Sequence, residues 1–289
     1  MNKPFEVAAI PHSAVAQTNL VPFTQFAECS GNTTLNIIAH EDDDLLFMNP
    51  DLYHDVLFKE CIRSVYLTAG DAGRGSDYWR QRETAVEAAY AYMRGVPSSW
   101  REEKMLIAGH QVRTDYLNGA DHISLVFMTL PDGRPSGQGY DRTHHQSLNA
   151  LRQGALVKIH TVDNTATYTK PQLVETLLKI MNLDKPAKIN TQQTDDSTDA
   201  TDGDHSDHHA SGYFAQLARR QYNGVSIDSA FTGYPSAARP QNIKDPQDIA
   251  NKQNIFFVYA QRDPEICPPI TNCTGSMNYQ KYMSRQYKQ

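Results

Sequence analysis

Short apolar runs alternate with longer segments of helical spacing along the 289-residue chain. The runs at 34–39 and 64–68 are each followed by polar residues or glycine, as buried strands are. Residues 78–93 place apolar side chains every three to four positions, which predicts an amphipathic helix. Strands that alternate with helices are typical of a mostly parallel sheet covered by helices on both faces. The pattern therefore predicts an α/β fold.

The same alternation continues toward the end of the chain. We predict further strands at 104–108, 122–130, 187–191 and 255–260, and further helices from 169 and over 206–222. We expect an irregular arm over 1–30 and a single α/β domain over 31–289. The Pro- and Gly-rich segment 131–145 is long for a connection, which favours a functional role. Together with segment 232–250, it is expected to determine specificity.

Composition argues against two classes of partner. The net charge is −6 and no basic stripe is present, so nucleic acid is not a predicted partner. No apolar run approaches the ~20 residues that a membrane helix needs. The N-terminus also lacks the continuous apolar region of a signal peptide. On that ground a cytoplasmic location would fit.

The four cysteines favour a different compartment. Cys29 and Cys61 precede two strands that are predicted to be neighbours, and Cys267 and Cys273 flank a short loop. Such even pairs favour disulfides and a secreted or periplasmic protein. Four reduced, buried thiols would instead fit a cytoplasmic enzyme. Because no Cys-x-x-Cys occurs, a zinc site made of cysteines is not predicted.

A histidine and four acidic residues directly follow the first predicted strand, in segment 40–44 (HEDDD). Ligands of open α/β sheets bind outside the carboxyl ends of the strands. One imidazole and one carboxylate at that position could ligate a divalent metal, and a second carboxylate could take a proton from a bound water. The alternative is a solvated acidic turn, the usual interpretation of a run of charges alone.

A second cluster of histidines and carboxylates lies at 204–209 (DHSDHH). His205 and His208 are three residues apart and would share a helix face. A His-rich tract favours metal binding, although a polar loop with incidental histidines is the alternative. Together the two segments supply His, carboxylate and His, the usual protein ligands of a catalytic zinc; iron and manganese also fit this set. Because His209 directly follows His208, the sequence leaves open which of the two would be the second histidine ligand.

These motifs resemble those of the PIG-L/LmbE-like zinc deacetylases. Residues 39–43 (AHEDD) are similar to the Ala-His-Pro-Asp-Asp signature of that family, and 205–208 (HSDH) to its His-Pro-Asp-His signature. Between them, 67–73 (LTAGDAG) and 80–83 (RQRE) resemble its strand, glycine loop and Arg-x-x-Glu helix start. The resemblance covers residues 34–260. It implies a Rossmann-like fold and the removal of acetyl groups from N-acetylglucosamine units of glycoconjugates.

The resemblance also implies a role for each matching residue. His40, Asp43 and His208 would hold Zn²⁺, with another divalent metal such as Fe²⁺ as the alternative. Asp42 would be the general base that activates the water. His205 would stabilise the oxyanion or protonate the leaving amine.

The match to the family is incomplete at several positions. Arg80 would contact the substrate, though Arg82 is close enough to be the true counterpart. Glu41 and Ser206 stand where proline is usual, and Asp44 stands where glutamate is common. None of these departures removes a ligand or the base, so they bear on substrate and metal preference rather than on activity.

The sequence therefore predicts a zinc-dependent hydrolase that removes an N-acetyl or other acyl group from an amino sugar. Its substrate would be a small molecule, a glycolipid or a polysaccharide. A non-catalytic glycan-binding protein on the same fold is the main alternative, and such a protein would be expected to have lost the base or a ligand. An aspartate-nucleophile phosphotransferase would need alternating aspartates, whereas these are consecutive. A cytoplasmic deacetylase of a small thiol precursor would lack disulfides.

Overall fold

The residues that the structure describes form a large sheet of eight strands. The computed structural model describes residues 21–22 (backbone), 31–194, 203–266 and 279–289. The strands are β1 (Val21–Pro22), β2 (Thr33–Ile38), β3 (Cys61–Thr68), β4 (Trp100–Ile107), β5 (His110–Leu117), β6 (Ile123–Leu130), β7 (Lys158–His160), β8 (Thr167–Thr169), β9 (Lys188–Gln192) and β10 (Ile227–Phe231). The helices are α1 (Asp51–Leu57), α2 (Ser76–Arg94), α3 (Leu148–Gln153), α4 (Lys170–Asp184), α5 (Ser206–Arg219) and α6 (Pro246–Ala260).

The sheet is mostly parallel, as the sequence predicts. Its strand order is β1-β4-β5-β6-β3-β2-β9-β10, and β7 and β8 form a separate antiparallel pair. Within the large sheet, β5 alone runs against its two neighbours. It returns from β4 through Ala108 and Gly109, which both have positive φ angles of 50° and 85°. Because this turn is so short, the strand that follows it must pair antiparallel.

Helices cover both faces of the sheet, which confirms the predicted α/β class. Along β3, Ile62 and Tyr66 belong to an apolar core shared with α2 and α6. Val65 and Leu67 belong to a second core shared with α3, α4 and α5. Successive strand residues point to opposite faces, so a strand buried on both sides reads as one continuous apolar run.

The five neighbouring strands β6, β3, β2, β9 and β10 all run in the same direction. Their carboxyl ends therefore meet at one edge of the sheet. The segments that follow these strands are brought together there, although they are far apart along the chain. This edge is where an open α/β sheet binds its ligands.

Helix α5 is pressed closely against the end of β9. A Cβ atom added to Gly212 would lie 2.3 Å from the backbone oxygen of Gln192, so only glycine fits at this point. The side chain of Gln192 in turn accepts a hydrogen bond of 2.8 Å from the backbone N–H of Ala39, directly after β2. These contacts tie α5 to the ends of β2 and β9.

The predicted strand at 255–260 is wrong, because these residues form the last turns of α6. The segment is rich in β-branched and aromatic residues, which favour strands. Its buried residues are nevertheless Ile255, Phe256, Tyr259 and Ala260, which recur at the spacing of one helix face. The side chain of Asp245 caps the helix by accepting a hydrogen bond from the backbone N–H of Gln247. Packing of that apolar face outweighs the local strand propensity.

Several elements were not predicted. The segments that form β5, α1, α3, the β7–β8 pair and the edge strand β10 carry no strong period. The predicted irregular arm at 1–30 falls outside the described residues except for 21–22, where the backbone of β1 pairs in parallel with Met105 and Leu106 of β4. Two residues are too few to show a periodic pattern, so β1 is defined only by its pairing with β4.

The disulfide predictions are not tested by the described residues. Cys61 is buried at the start of β3 and is not a free thiol. Cys29, Cys267 and Cys273 lie outside the described residues. Both pairings, and the location they favour, therefore stay predictions. Among the described helices, none combines the length and apolar character needed to cross a membrane.

We expect Gly212→Ala to destabilise the protein by ~1–3 kcal/mol, because the added methyl group would push α5 away from β9. Since α5 carries His205 and His208 at its start, the same variant should also bind less metal. Denaturant unfolding and elemental analysis measure the two effects. Gly95→Ala is the control: it lies in open space with φ of 72°, so it should cost about 1 kcal/mol and leave metal binding unchanged. Unchanged stability and metal content in Gly212→Ala would contradict the expectation.

Candidate metal centre

The first predicted motif forms a tight turn at the carboxyl end of β2. The backbone N–H of Asp43 donates to the oxygen of His40 at 3.3 Å, and a π-helical turn over Asp44–Met48 follows directly. The carboxylate of Asp43 also accepts a hydrogen bond of 2.7 Å from the backbone N–H of His40. This turn points the side chains of His40, Asp42 and Asp43 toward the same edge of the sheet.

The carboxylate of Asp43 lies between two imidazoles. One oxygen is 3.1 Å from Nδ1 of His40, and the other is 3.1 Å from Nε2 of His208. All three side chains are buried, and His208 is fully inaccessible. The structure thus brings together three residues that the resemblance implies as metal ligands.

Two facing atoms of this group have no hydrogen-bond partner among the described residues. They are Oδ1 of Asp43 and Nε2 of His208. Buried polar atoms are almost always satisfied, so such a pair needs an explanation. A divalent cation bound by His40, Asp43 and His208 would satisfy both atoms. The ligand atoms of the three residues lie within 4.8 Å of one another, so this donor set fits a metal.

The electrostatics of the cluster indicate a place for positive charge. Burial raises the pKa of Asp43, but the neighbouring His208 and His40 outweigh burial and hold it well below its usual value. Burial lowers the pKa of His208, yet the charges of Asp43 and Asp204 raise it to about 10. The carboxylates therefore favour the protonated form of the imidazoles. A metal ion would compete with these protons for the ring nitrogens.

Two further aspartates orient the histidines. Asp204 accepts a hydrogen bond of 2.7 Å from Nδ1 of His208, which leaves Nε2 free to face Asp43. Asp207 lies 3.4 Å from Nε2 of His40 and accepts a hydrogen bond of 2.7 Å from the backbone N–H of Gly133. Metal-binding histidines commonly have such a carboxylate partner on their other nitrogen, which fixes the ring.

A second group with suitable spacing consists of His40, Asp132, His205 and Asp207. It shares His40 with the first group. In this group, Nδ1 of His205 already accepts a hydrogen bond from the backbone N–H of Asp207, and Asp207 already binds Gly133. The group of His40, Asp43 and His208 has the shorter contacts. Its carboxylate lies 3.1 Å from both imidazoles, whereas Asp207 lies 3.4 Å from His40 and 3.7 Å from His205, so the first group is the better candidate metal site. His209, the alternative register, belongs to neither group.

His205 lies at the N-cap of α5, beside the first group. Its Nδ1 accepts the N–H of Asp207 at 3.2 Å, so the proton of the neutral ring is on Nε2. Nε2 lies 3.9 Å from the carboxylate of Asp132. Burial and the nearby His40 lower the pKa of His205 to about 3, so the ring is neutral at pH 7.

Asp42 stands next to the candidate ligand Asp43 along the chain, and its carboxylate pairs with Arg82. Nη2 of Arg82 donates to its carboxylate at 2.7 Å. The same guanidinium donates to Asp263 at 3.1 Å and to the backbone oxygen of Gly70 at 2.8 Å. Burial raises the pKa of Asp42, and the charge of Arg82 opposes that rise. A carboxylate with a raised pKa and a fixed orientation is suited to proton transfer.

Arg80 is not brought to this group of residues. Its guanidinium lies over the ring of Trp79 and donates to Glu83 at 3.1 Å, and its side chain is 43% exposed. Arg82, two residues later, occupies the position beside Asp42. Residues two apart on a helix point in different directions, which the motif alone did not distinguish.

The three departures from the family motif have distinct surroundings. Glu41 is fully buried and lies 3.4 Å from Nη1 of Arg82. Asp44 accepts hydrogen bonds from the hydroxyl groups of Tyr66 and Tyr90. Ser206 donates a hydrogen bond of 2.7 Å to the backbone oxygen of Arg134. All three support the turn or the helix start; none of their side chains is among the candidate ligands.

A cleft of about 110 Å³, here called the inner cleft, lies beside the candidate metal ligands and is lined by one of them, His40. Its polar wall is formed by His40, Asp42, Arg82, Asp132, His205 and Asp263. Tyrosines 78, 234 and 279 provide apolar surface around them. Most of the charged side chains that could act on a bound molecule therefore line the inner cleft.

Sequence reasoning missed four residues of this site: Asp132, Asp204, Asp207 and Asp263. Two of them stand inside the second motif: Asp204 is four residues before His208, and Asp207 is next to it. Asp132 lies two residues after the end of β6, so its position near a strand end was a signal that was not used. Asp263 follows α6, which was predicted as a strand, so its position could not have been inferred.

A comparison with protein-family models agrees with the two motifs described above. Residues 35–218 match the family model described as PIG-L: GlcNAc-PI de-N-acetylase. The match spans more than half of the chain and includes both motifs. No curated protein sequence matches this chain closely enough to count as a relative.

Solved structures resemble the chain at low sequence identity. The zinc-inhibited form of a teicoplanin deacetylase is 15% identical, with 87% of this chain and 90% of that chain covered and a TM-score of 0.48. The N,N'-diacetylchitobiose deacetylase of Pyrococcus horikoshii is 14% identical, with 82% and 72% covered and a TM-score of 0.45. The 4-carboxy-2-hydroxymuconate hydratase of Pseudomonas putida is also 14% identical, with 87% and 82% covered and a TM-score of 0.45. At this level of similarity, the solved structures do not indicate which reaction this chain catalyses.

We expect wild-type protein to bind about one divalent ion per chain and His208→Ala to lose it, because Asp43 would keep only one imidazole beside it. His209→Ala is the matched control, since its ring belongs to neither candidate group. Elemental analysis after incubation with zinc and removal of excess metal gives the stoichiometry. Loss of metal in His209→Ala but not in His208→Ala would show that the other register is correct.

Proposed function

This chain belongs to the PIG-L family, and we propose that it is a metal-dependent deacetylase that hydrolyses the N-acetyl group of an amino sugar. The observation that carries the proposal is the placement of Asp43 between His40 and His208, with Asp42 beside them in the inner cleft. We propose zinc as the metal because two imidazoles and one carboxylate are its usual ligands in hydrolases. Fe²⁺ is the alternative for the same donor set.

Hydrolysis of an amide needs an activated water, a stabilised oxyanion and a proton for the leaving nitrogen. Bound zinc would lower the pKa of a water and polarise the carbonyl group. In this proposal Asp42 takes the proton of the attacking water, and Arg82 keeps its carboxylate oriented. The C–O bond then forms and the C–N bond breaks, and the proton held by Asp42 is available to the leaving amine. The products are acetate and a free amino sugar.

His205 fits the role of oxyanion donor better than that of acid. Its neutral ring carries the proton on Nε2, because Nδ1 accepts the N–H of Asp207. A neutral N–H can donate a hydrogen bond to the oxyanion. With a pKa lowered to about 3, the ring holds no second proton to give to the amine at neutral pH. The loss of one such donor typically costs ~10²–10³-fold in rate.

Arg82 is proposed to orient Asp42, in place of the substrate contact predicted for Arg80. Its planar guanidinium reaches Asp42, Asp263 and the Gly70 oxygen at once, which a lysine ammonium cannot do. The side chain also lines the inner cleft, so a substrate contact through Arg82 remains compatible with this geometry.

The reaction is tested by acetate release from N,N'-diacetylchitobiose and other N-acetylglucosamine conjugates. We expect zinc-loaded wild-type protein to release acetate, and Asp42→Asn to lose ~10²–10⁴-fold in kcat, the usual contribution of a general base. Asp42→Asn should still bind one metal ion, because Asp42 is not among the ligands. If neither protein releases acetate while both bind the glycans equally well, the chain is a glycan-binding protein instead.

The two arginines can be separated by paired conservative variants. Arg82→Lys should lower kcat by at least about tenfold because the oriented fork onto Asp42 is lost. Arg80→Lys should change kcat and KM less than twofold, since among the described residues the Arg80 side chain contacts Trp79 and Glu83, and 43% of it is exposed. Steady-state kinetics at equal metal loading measure both. A larger loss in Arg80→Lys than in Arg82→Lys would restore Arg80 as the functional arginine.

A further inference from the structure

Part of the wall of the inner cleft comes from outside the matched part of the chain. The family model covers residues 35–218, whereas Tyr234, Asp263 and Tyr279 line the cleft from positions farther along the sequence. Tyr234 belongs to segment 232–250, which follows β10 at the carboxyl edge of the sheet. The family motifs therefore assign it no role in the reaction.

The backbone at Tyr234 is tied to a candidate metal ligand. Its N–H donates a hydrogen bond of 3.0 Å to Oδ1 of Asp204, the same oxygen that lies 2.7 Å from Nδ1 of His208. A Cβ atom added to the preceding Gly233 would lie 2.6 Å from Nδ1 of His208, so only glycine allows this close approach. The loop after β10 is therefore held directly against His208.

The ring of Tyr234 is fixed by three aromatic neighbours. Its centre lies 5.0 Å from the centre of the His208 ring, 5.8 Å from that of Phe47 and 6.0 Å from that of Tyr282. Phe47 and Tyr282 are buried and pack edge to face, with ring centres 5.4 Å apart. A ring that is packed in this way keeps its hydroxyl group in one place, as a preorganised hydrogen-bond donor requires.

The hydroxyl group of Tyr234 is available to a bound molecule. Tyr234 lines the inner cleft together with Asp42 and His205, and its hydroxyl makes no hydrogen bond to a residue that the structure describes. Burial raises the pKa of Tyr234 well above its usual value, and the charges of Asp42 and Asp43 contribute to that rise. The phenol therefore keeps its proton, and it lies within electrostatic reach of the proposed base and of a candidate ligand.

The two other tyrosines of the inner cleft have different surroundings. The guanidinium of Arg74 lies 4.6 Å from the ring centre of Tyr78. Tyr279 packs against Phe256, with ring centres 5.3 Å apart. Among the described residues, neither ring contacts a candidate metal ligand. Of the three cleft tyrosines, Tyr234 is thus the one that is fixed to the metal centre.

We propose that Tyr234 is a catalytic residue whose hydroxyl donates a hydrogen bond to the oxyanion of the scissile amide. The inference rests on the proposed deacetylase function. The rings of Tyr234 and His205 both lie beside that of His208, at 5.0 and 5.4 Å, so two neutral donors flank the same ligand.

The hydrogen bond acts while charge is present on the carbonyl oxygen. When the water oxygen bonds to the carbonyl carbon, the π electron pair of the C=O bond moves onto oxygen. The phenol O–H of Tyr234 and the Nε2–H of His205 stabilise that charge together. The electron pair forms the C=O bond again as the C–N bond breaks, and the phenol keeps its proton throughout.

Tyr234→Phe removes the hydroxyl and keeps the ring. With zinc-loaded protein and N,N'-diacetylchitobiose, we expect kcat to fall by ~10²-fold and KM to change less than about twofold, because the hydrogen bond strengthens only as charge develops. Metal content and the midpoint of denaturant unfolding should equal those of wild type. A rise in KM with unchanged kcat, unchanged kinetics, or a loss of bound metal would each contradict a catalytic role for the hydroxyl.

Tyr282→Phe is the matched control. It removes the same atom from a buried tyrosine that packs against Tyr234 but does not line the inner cleft. We expect kcat and KM of this variant to stay within about twofold of wild type. An equal loss of kcat in both variants would overturn the proposal, because the effect would then come from packing of the aromatic rings.

Binding of a tetrahedral analogue separates this inference from the proposed function. The probe is glucosamine that carries a methylphosphonyl group on its nitrogen in place of acetyl, so that a phosphorus-bound oxygen mimics the oxyanion. We expect calorimetric titration to show at least about tenfold weaker binding to Tyr234→Phe than to wild type, and about equal binding of N-acetylglucosamine. If wild-type protein releases no acetate from any conjugate, the deacetylase proposal fails, and this difference in affinity still tests the donor. Equal affinity of the two proteins for the analogue, or no binding to either, overturns the inference.

Discussion

The burial of one carboxylate between two imidazoles is the constraint around which this edge of the sheet is organised. Asp43, His40 and His208 are almost completely removed from water. An isolated charge in such a place is very unfavourable, so each of the three must be compensated by its neighbours or by a bound cation. The remaining groups of the site are arranged to meet that requirement. Asp204 and Asp207 act on the two rings, and Gly133 holds Asp207.

The parallel sheet makes this arrangement available. Five neighbouring strands end at the same edge, and each delivers its following residues there without a long connection. The close contact of Gly212 with Gln192 keeps α5 at the end of β9, and Gln192 also holds the backbone directly before His40. Arg82 extends the same edge by joining Asp42 to Asp263. The inner cleft opens beside Asp132, in the loop that follows β6.

Much of the fold could be predicted because the central strands are buried on both faces. β2, β3 and β6 read as short, mainly apolar segments, and α2 and α4 show one apolar face each. Elements with a weak period could not be predicted in this way. β10 is an edge strand with Ile227 exposed, and its pairing depends on β9 rather than on its own residues. Residues 255–260 favour a strand locally, and only their packing against α2 and the sheet made them helical.

The sequence by itself determined the chemical types at the centre of the site. A histidine and a carboxylate after one strand, with two histidines three residues apart much later, already predict a metal centre with a base. Only the tertiary structure decided which atoms meet. It places His208, rather than His209, in the group with His40 and Asp43. It also places Arg82, rather than Arg80, beside Asp42. It also added Asp132, Asp204, Asp207 and Asp263. The physical reason is that a motif fixes spacing along the chain, whereas ring orientation, partner carboxylates and a shared cleft depend on contacts between segments that are distant in sequence.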